Sequence, residues 1–165
     1  MKPANILQGL QCNDLMKMRT VSEVMQAEVI YSFPTTDLLS IAQIMAEKKI
    51  SSIAIAAPTA GMNAEEGIVG TGEVVFPVGI ITERDIELLR ALELDLAKIQ
   101  ATKVMSSSLF SVRATDSLCD AFNEMQRRNL QQLVVVGDTE ELVGIVTQSS
   151  CLQSLTVKKN TRLPR

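Results

Sequence analysis

The feature that most constrains this chain is that it repeats itself. Displaced by 80 positions, Val24-Met25 falls on Val104-Met105, Thr35 on Thr115, Leu38 on Leu118 and Met45 on Met125. Hydrophobic character is kept without a gap at Ile30/Phe110, Ile50/Leu130, Ile53/Leu133 and Ile55/Val135. The register then changes, and Gly79-Ile80-Ile81-Thr82 matches Gly144-Ile145-Val146-Thr147 at an offset of 65. The first copy therefore carries fifteen additional residues within 58–77, a stretch rich in Gly, Ala and Glu. A solvated insertion is expected there, an extended hairpin loop with a short strand at 73–76. A unit this small has one apolar sheet face that it cannot bury alone, so the copies are expected to pack face to face.

Each copy reads as the same succession of elements. Segments 29–33 and 109–112 are short and β-prone. Segments 38–48 and 117–128 carry apolar residues at helical spacing: Leu38, Ile41, Ala42 and Met45 in the first, Leu118, Ala121, Phe122 and Met125 in the second. Segments 52–56 and 132–136 are apolar and β-branched, as buried strands are. A third strand at 78–81 and 142–146 and a helix at 83–92 and 149–155 complete the unit. The expected fold class is α/β of the α+β kind: two β-α-β-β-α repeats related by a pseudo-two-fold axis. The expected domain plan is a helical extension at 1–20, with its helix at 13–18, and a first domain at 21–94. A linker at 95–102, a second domain at 103–155 and a polar, frayed tail at 156–165 follow.

Composition narrows the chemistry. Hydrophobic residues make up 46% of the 165 and aromatics only 3%, so the core must be aliphatic. A net charge of −3 and the absence of Trp argue against a nucleic-acid partner. There is no histidine, which removes the commonest general base and the commonest zinc ligand together. No catalytic residues and no metal site are expected, and the chain reads as a non-enzyme. Cys12, Cys119 and Cys151 are far apart and show neither metal spacing nor a disulfide framework, so reduced, buried thiols are expected. No apolar run reaches the roughly 18 residues that span a membrane. The opening MKPANILQGL lacks the layout of a signal peptide, so no membrane partner and a cytoplasmic location are expected.

The strongest local signal is Gly79-Ile80-Ile81-Thr82-Glu83-Arg84-Asp85. A strand ends and a helix begins at Thr82, with Asp85 three residues on as in a capping box. A helix start presents free N–H groups, a nearby carboxylate can accept from a ribose diol, and aliphatic strands offer a flat slot for a purine. Such a layout binds; it contains no nucleophile with a base.

The repeat, the element order and the Gly-x-x-Thr-x-x-Asp ending resemble a tandem pair of cystathionine-beta-synthase (CBS) domains, or Bateman module, over about residues 21–155. The stretch GIITERDIELLRALELDLAKIQATKVMS followed by GIVTQSSCLQSL resembles the N-terminal CBS pair of cyanobacterial signal-transduction proteins. The resemblance implies that Thr82 and Asp85 hold a ribose and that Ile50, Ser51, Ser52 and Ile53 line base and sugar. Val29 and Ile80 would complete the apolar slot. The second copy ends Thr147-Gln148-Ser149-Ser150, with Ser150 in the place of the acid. A weaker second cleft is therefore expected around Thr147, Ser150, Gln131 and Gln132. Many nucleotide-binding members carry Arg or His where this chain has Ser51-Ser52 and Gln131-Gln132. Arg84, with Arg113, Arg127 and Arg128, are the substitutes available to meet a phosphate. The implied ligand is AMP, ADP or S-adenosylmethionine ahead of ATP, with no cofactor required. The implied role is a regulatory sensor in signal transduction, forming a homodimer and acting on an effector outside this chain. The alternative is a dimerisation scaffold with no physiological ligand.

Overall fold

The structure, a computed structural model, describes residues 12, 14–58, 67–68, 74–107 and 109–155. The tail at 156–165, residues 1–11 and most of the insertion lie outside the described residues. After a one-turn helix α1 (Asp14–Lys17), the first copy runs β1 (Ile30–Ser32), α2 (Leu38–Lys48), β2 (Ser52–Pro58), β3 (Gly67–Ile68), β4 (Val75–Thr82) and α3 (Glu83–Ala91). The second runs β5 (Ser111–Arg113), α4 (Leu118–Arg128), β6 (Gln132–Val136), β7 (Leu142–Thr147) and α5 (Gln148–Gln153). The β-α-β-β-α order holds in both copies, with β3 added in the first. The sheets are ordered β3-β1-β2-β4 and β5-β6-β7. In each, the first strand pairs parallel to the second, and the second antiparallel to the last.

Among the described residues, the strand expected at 73–76 does not stand apart from the one that follows it. Val75 and Phe76 open β4 and pair with Pro58 and Ala57, so the arms of the insertion prolong the β2–β4 ladder. Pro77 sits opposite Ala56, beside a register shift between Ile55 and Ala56. An irregular ladder is where a residue without an N–H is tolerated. The stretch at 95–102, expected as the linker, packs against the first copy. It forms short 3-10 turns, Leu96–Lys98 and Ala101–Lys103, and buries Leu96 and Ala101.

Local chemistry sets the helix ends. The Asp37 carboxylate accepts the Ser40 N–H at 2.9 Å and the Ser40 hydroxyl at 2.8 Å, capping α2. The Ser40 N–H and hydroxyl hold the Asp37 carboxyl below its ordinary pKa. Lys49 and Asn129 end α2 and α4 in the left-handed region, both at φ 54°.

Strand alternation divides the core. In β2, Ile53 and Ile55 pack under α2 and α3, while Ala54 and Ala56 face the opposite sheet. In β6, Leu133 and Val135 pack under α4, while Val134 and Val136 face the first sheet. The shared middle layer also holds Val29, Tyr31, Phe33, Val75 and Leu142. The expected face-to-face packing of the halves is therefore present.

The halves also exchange their lead-in segments. The backbone around residues 19–26 docks on the second half. Val21 N–H donates to the Asp116 carbonyl at 2.9 Å, and Gln26 and Ile145 bond reciprocally at 2.8 and 3.0 Å. Residues 99–106 mirror this on the first half. Ala101 N–H donates to the Thr36 carbonyl at 2.8 Å, and Ile80 and Ser106 bond reciprocally at 3.1 and 3.0 Å. A Cβ on Gly79 would lie 2.5 Å from Met105 Sδ, and one on Gly144 would lie 2.7 Å from Met25 Sδ. Each motif glycine thus leaves room for the methionine of the other lead-in.

The cysteines correct the reading of reduced thiols. Cys12 and Cys119 form a disulfide, with Cα atoms 5.5 Å apart across 107 residues. Packing of α1 on α4 brings them together, and nothing in their spacing along the chain announces it. Cys151 remains free and buried.

Gly79→Ala should destabilise the fold by about 1–3 kcal/mol through overpacking against Met105, read from urea denaturation. Asp37→Ala should cost about 1 kcal/mol at pH 7. Because folding lowers the Asp37 pKa, that difference should be intact above the unfolded value. It should fade as acid carries the pH down through the lowered folded value.

Candidate functional site

The site begins at a contact between equivalent residues. Ser52 and Gln132, 80 positions apart, meet between the halves, and the Gln132 amide donates to Ser52 Oγ at 2.7 Å. On one side of this pair lies a cleft of about 580 Å³, and on the other a smaller one of about 270 Å³. Ser51, Ser52 and Gln132 line both.

The larger cleft takes Ile80, Thr82, Glu83, Arg84 and Glu87 from the end of the first copy. Its opposite wall is Ser106, Leu109, Phe110 and the turn Asn129, Leu130, Gln131 and Gln132 from the second. The smaller cleft inverts the arrangement, with Ile145 and Thr147 from the second copy facing Gln26, Glu28, Val29, Ile30, Lys49 and Ile50 from the first. Each cleft is therefore composite. The motif of one copy faces the first-strand lead-in of the other, because the lead-ins are exchanged.

This geometry regroups the residues singled out in the sequence. Thr82, Ile80, Arg84, Ser51 and Ser52 do come together in the larger cleft. Gln131 and Gln132, expected in the weaker cleft, line the larger one, and Gln132 lines both. Val29 and Ile50, expected beside Thr82, lie with Thr147 in the smaller cleft. Ile53 lines neither; it is 1% exposed in the core beneath α2, because alternation along β2 turns it inward. Asp85 and Ser150 are not part of either wall. Each closes a cap on its own helix.

The caps are explicit. Thr82 N–H and the Thr82 hydroxyl both donate to Asp85 Oδ2 at 2.9 Å, and Asp85 N–H returns to Thr82 Oγ at 3.3 Å. In the second copy Thr147 N–H donates to Ser150 Oγ at 3.1 Å, and Ser150 N–H donates to Thr147 Oγ at 3.1 Å. Serine replaces the acid in the cap without loss of the turn.

Sequence reasoning missed Glu83, Glu87, Leu109, Phe110, Asn129 and Leu130. The repeat contained the signal for three of them, since Leu109, Phe110 and Leu130 align with Val29, Ile30 and Ile50. What it lacked was which copy faces which. Phe110 is also held from another quarter: the Arg128 guanidinium lies 4.0 Å from its ring centroid.

The charges around the clefts are mostly engaged elsewhere. Arg113 bonds Glu140 and the Gly137 carbonyl, and Arg127 and Arg128 both bond Glu124. The Arg128 and Arg127 guanidinium groups hold the Glu124 carboxyl below its ordinary pKa. None of these three arginines lines a cleft. Burial pushes the Cys151 thiol up to about 11, and it lies in the core away from both clefts. Among the described residues there is no group of three His, Cys, Asp or Glu that could hold a metal ion. No helix among them is long and apolar enough to cross a membrane.

Comparison with known proteins agrees with this architecture. The family model for the CBS domain matches residues 21–89 and 101–156. Protein MK0525 of Methanopyrus kandleri is 29% identical over 139 residues, covering 84% of this chain and 63% of its own. Protein MJ1404 of Methanocaldococcus jannaschii is 33% identical over 78 residues, covering 47% of this chain and 18% of its own. The chain thus spans less than two thirds of these relatives' lengths. Among solved structures, the CBS domain pair of protein MJ0100, in complex with 5′-methylthioadenosine and S-adenosyl-L-methionine, superposes with a TM-score of 0.66 at 20% identity. That match covers 86% of this chain and 98% of the other. CBS domain protein PAE2072 from Pyrobaculum aerophilum, complexed with AMP, gives a TM-score of 0.65 at 24% identity over 86% and 93%. At such identities the likeness speaks for the fold. With its repeat, its exchanged lead-ins and both matched segments, the chain belongs to the CBS domain family and carries two CBS domains in tandem.

Proposed function

We propose that this chain is a regulatory, non-catalytic module that binds an adenine-bearing small molecule in the larger cleft. The observation that carries the reading is the composite wall of that cleft. Ile80, Leu109, Phe110 and Leu130 offer apolar surface for a purine, and Ser51, Ser52, Gln131 and Gln132 offer neutral donors and acceptors for its edge. Thr82 stands where a sugar would reach the α3 terminus. Related CBS pairs of known structure were solved with AMP, 5′-methylthioadenosine and S-adenosyl-L-methionine, which supports the same ligand class here. The cap engages only Oδ2 of Asp85, so its second carboxylate oxygen would be the one to accept from a ribose.

Because the clefts lie between the halves, a ligand that fits one relative arrangement better shifts the population toward it. A partner in a cytoplasmic signalling chain would read that shift. We further propose a homodimer. Leu39, Leu88 and Leu92, at 40%, 60% and 61% exposure, are apolar surface on α2, on α3 and just beyond α3 that a second copy could cover. The scaffold reading is favoured by one observation: Asp85 is closed into its cap and outside the cleft wall.

Thermal unfolding with AMP, ADP, ATP and S-adenosylmethionine separates the two readings. A ligand at a hundred times its dissociation constant should add about 2.7 kcal/mol of stability. Asp85→Ala should abolish the ligand shift. Ser150→Ala, which removes the equivalent cap in the second copy, should lower the baseline but keep the shift. ATP should bind more weakly than AMP. If no adenine compound moves the transition, the scaffold reading holds.

A further inference from the structure

The larger cleft has a charge balance that the sequence did not disclose. Its wall holds one cation, Arg84, and two carboxylates, Glu83 and Glu87. The two acids stand four residues apart, on one face of α3. Neither they nor Arg84 makes an ion pair among the described residues. The rest of the wall is neutral. The other arginines that could meet a phosphate are held by Glu140 and Glu124.

The start of α3 offers little to an anion either. Glu83 N–H already donates to the Ser51 carbonyl at 2.8 Å, and Asp85 N–H donates to Thr82 Oγ at 3.3 Å. Thr82 N–H is taken by the Asp85 carboxylate. A 5′-phosphate placed beside Thr82 would meet a wall that holds two carboxylates and one guanidinium, with those amides already engaged.

Building on the adenine-binding reading, we propose that the larger cleft selects an adenosyl ligand whose 5′ substituent carries no net negative charge, and disfavours 5′-phosphates. A neutral thioether would rest on Leu109, Phe110 and Leu130. A sulfonium bearing an amino-acid tail would set its cationic centres toward Glu83 and Glu87 and its carboxylate toward Arg84. The preference for such a cation is electrostatic at an exposed site, so it weakens as salt rises.

The test is calorimetric titration of the full chain with AMP, 5′-methylthioadenosine and S-adenosylmethionine at low and physiological salt. Both adenosyl sulfur compounds should bind at least about tenfold tighter than AMP, and salt should erode the advantage of the sulfonium. The exposed double variant E83Q/E87Q, checked for folding by its thermal transition, should narrow the ratio by raising AMP affinity and lowering that of the sulfonium. AMP binding as tightly as the thioether in the unaltered chain, or a ratio that E83Q/E87Q leaves unmoved, overturns this selectivity while the adenine-binding reading stands. If none of the three binds, both fall together.

Discussion

The absence of a side chain at Gly79 and Gly144 lets the methionine of the opposite lead-in, Met105 or Met25, lie against the backbone of the last strand in each sheet. The remainder of the architecture follows from that close approach. It brings the lead-in near enough for reciprocal backbone bonds, Ile80 with Ser106 and Gln26 with Ile145. The β4 and β7 edges are thereby each bridged at one residue by the other half's chain, and the backbone groups of Ile80 and Ile145 are satisfied. Separating the halves would expose both edges together with the middle layer of Val29, Tyr31, Ala54, Val134 and Leu142. The two copies therefore behave as one folded unit, although each has its own helices and its own outer core.

The same exchange makes both clefts composite. Neither copy contains a complete wall, since Thr82 faces Leu109 and Phe110, while Thr147 faces Val29 and Ile30. A ligand in either cleft must touch both halves, which is the geometric requirement for sensing their relative arrangement. The Ser52–Gln132 contact between the clefts belongs to both walls.

The electrostatic character of the larger cleft comes from small departures between the copies. The α3 start brings Glu83, Arg84 and Glu87, whereas the α5 start brings Gln148, Ser149 and Ser150. Both retain the cap, because a serine hydroxyl and an aspartate carboxylate can each take the N–H at the strand end. The cap geometry is thus kept while the charges presented by the helix start differ.

Much of the fold was legible along the chain. α2 spans 38–48 as expected, because Leu38, Ile41, Ala42 and Met45 set its face and Asp37 its start. The strands and the repeat register were legible for the same reason: period-two and period-3.6 burial are local patterns. The motif residues Thr82, Ile80, Ser51 and Ser52 were legible as a group as well. Which copy supplies the facing wall was not, nor the disulfide between Cys12 and Cys119, nor the acids Glu83 and Glu87 in the cleft. Local sequence determined what each element is and which of its faces is apolar. Only the tertiary structure decided which half each lead-in covers, because that choice rests on packing between residues 26 and 119 positions apart, Met105 on Gly79 and Met25 on Gly144.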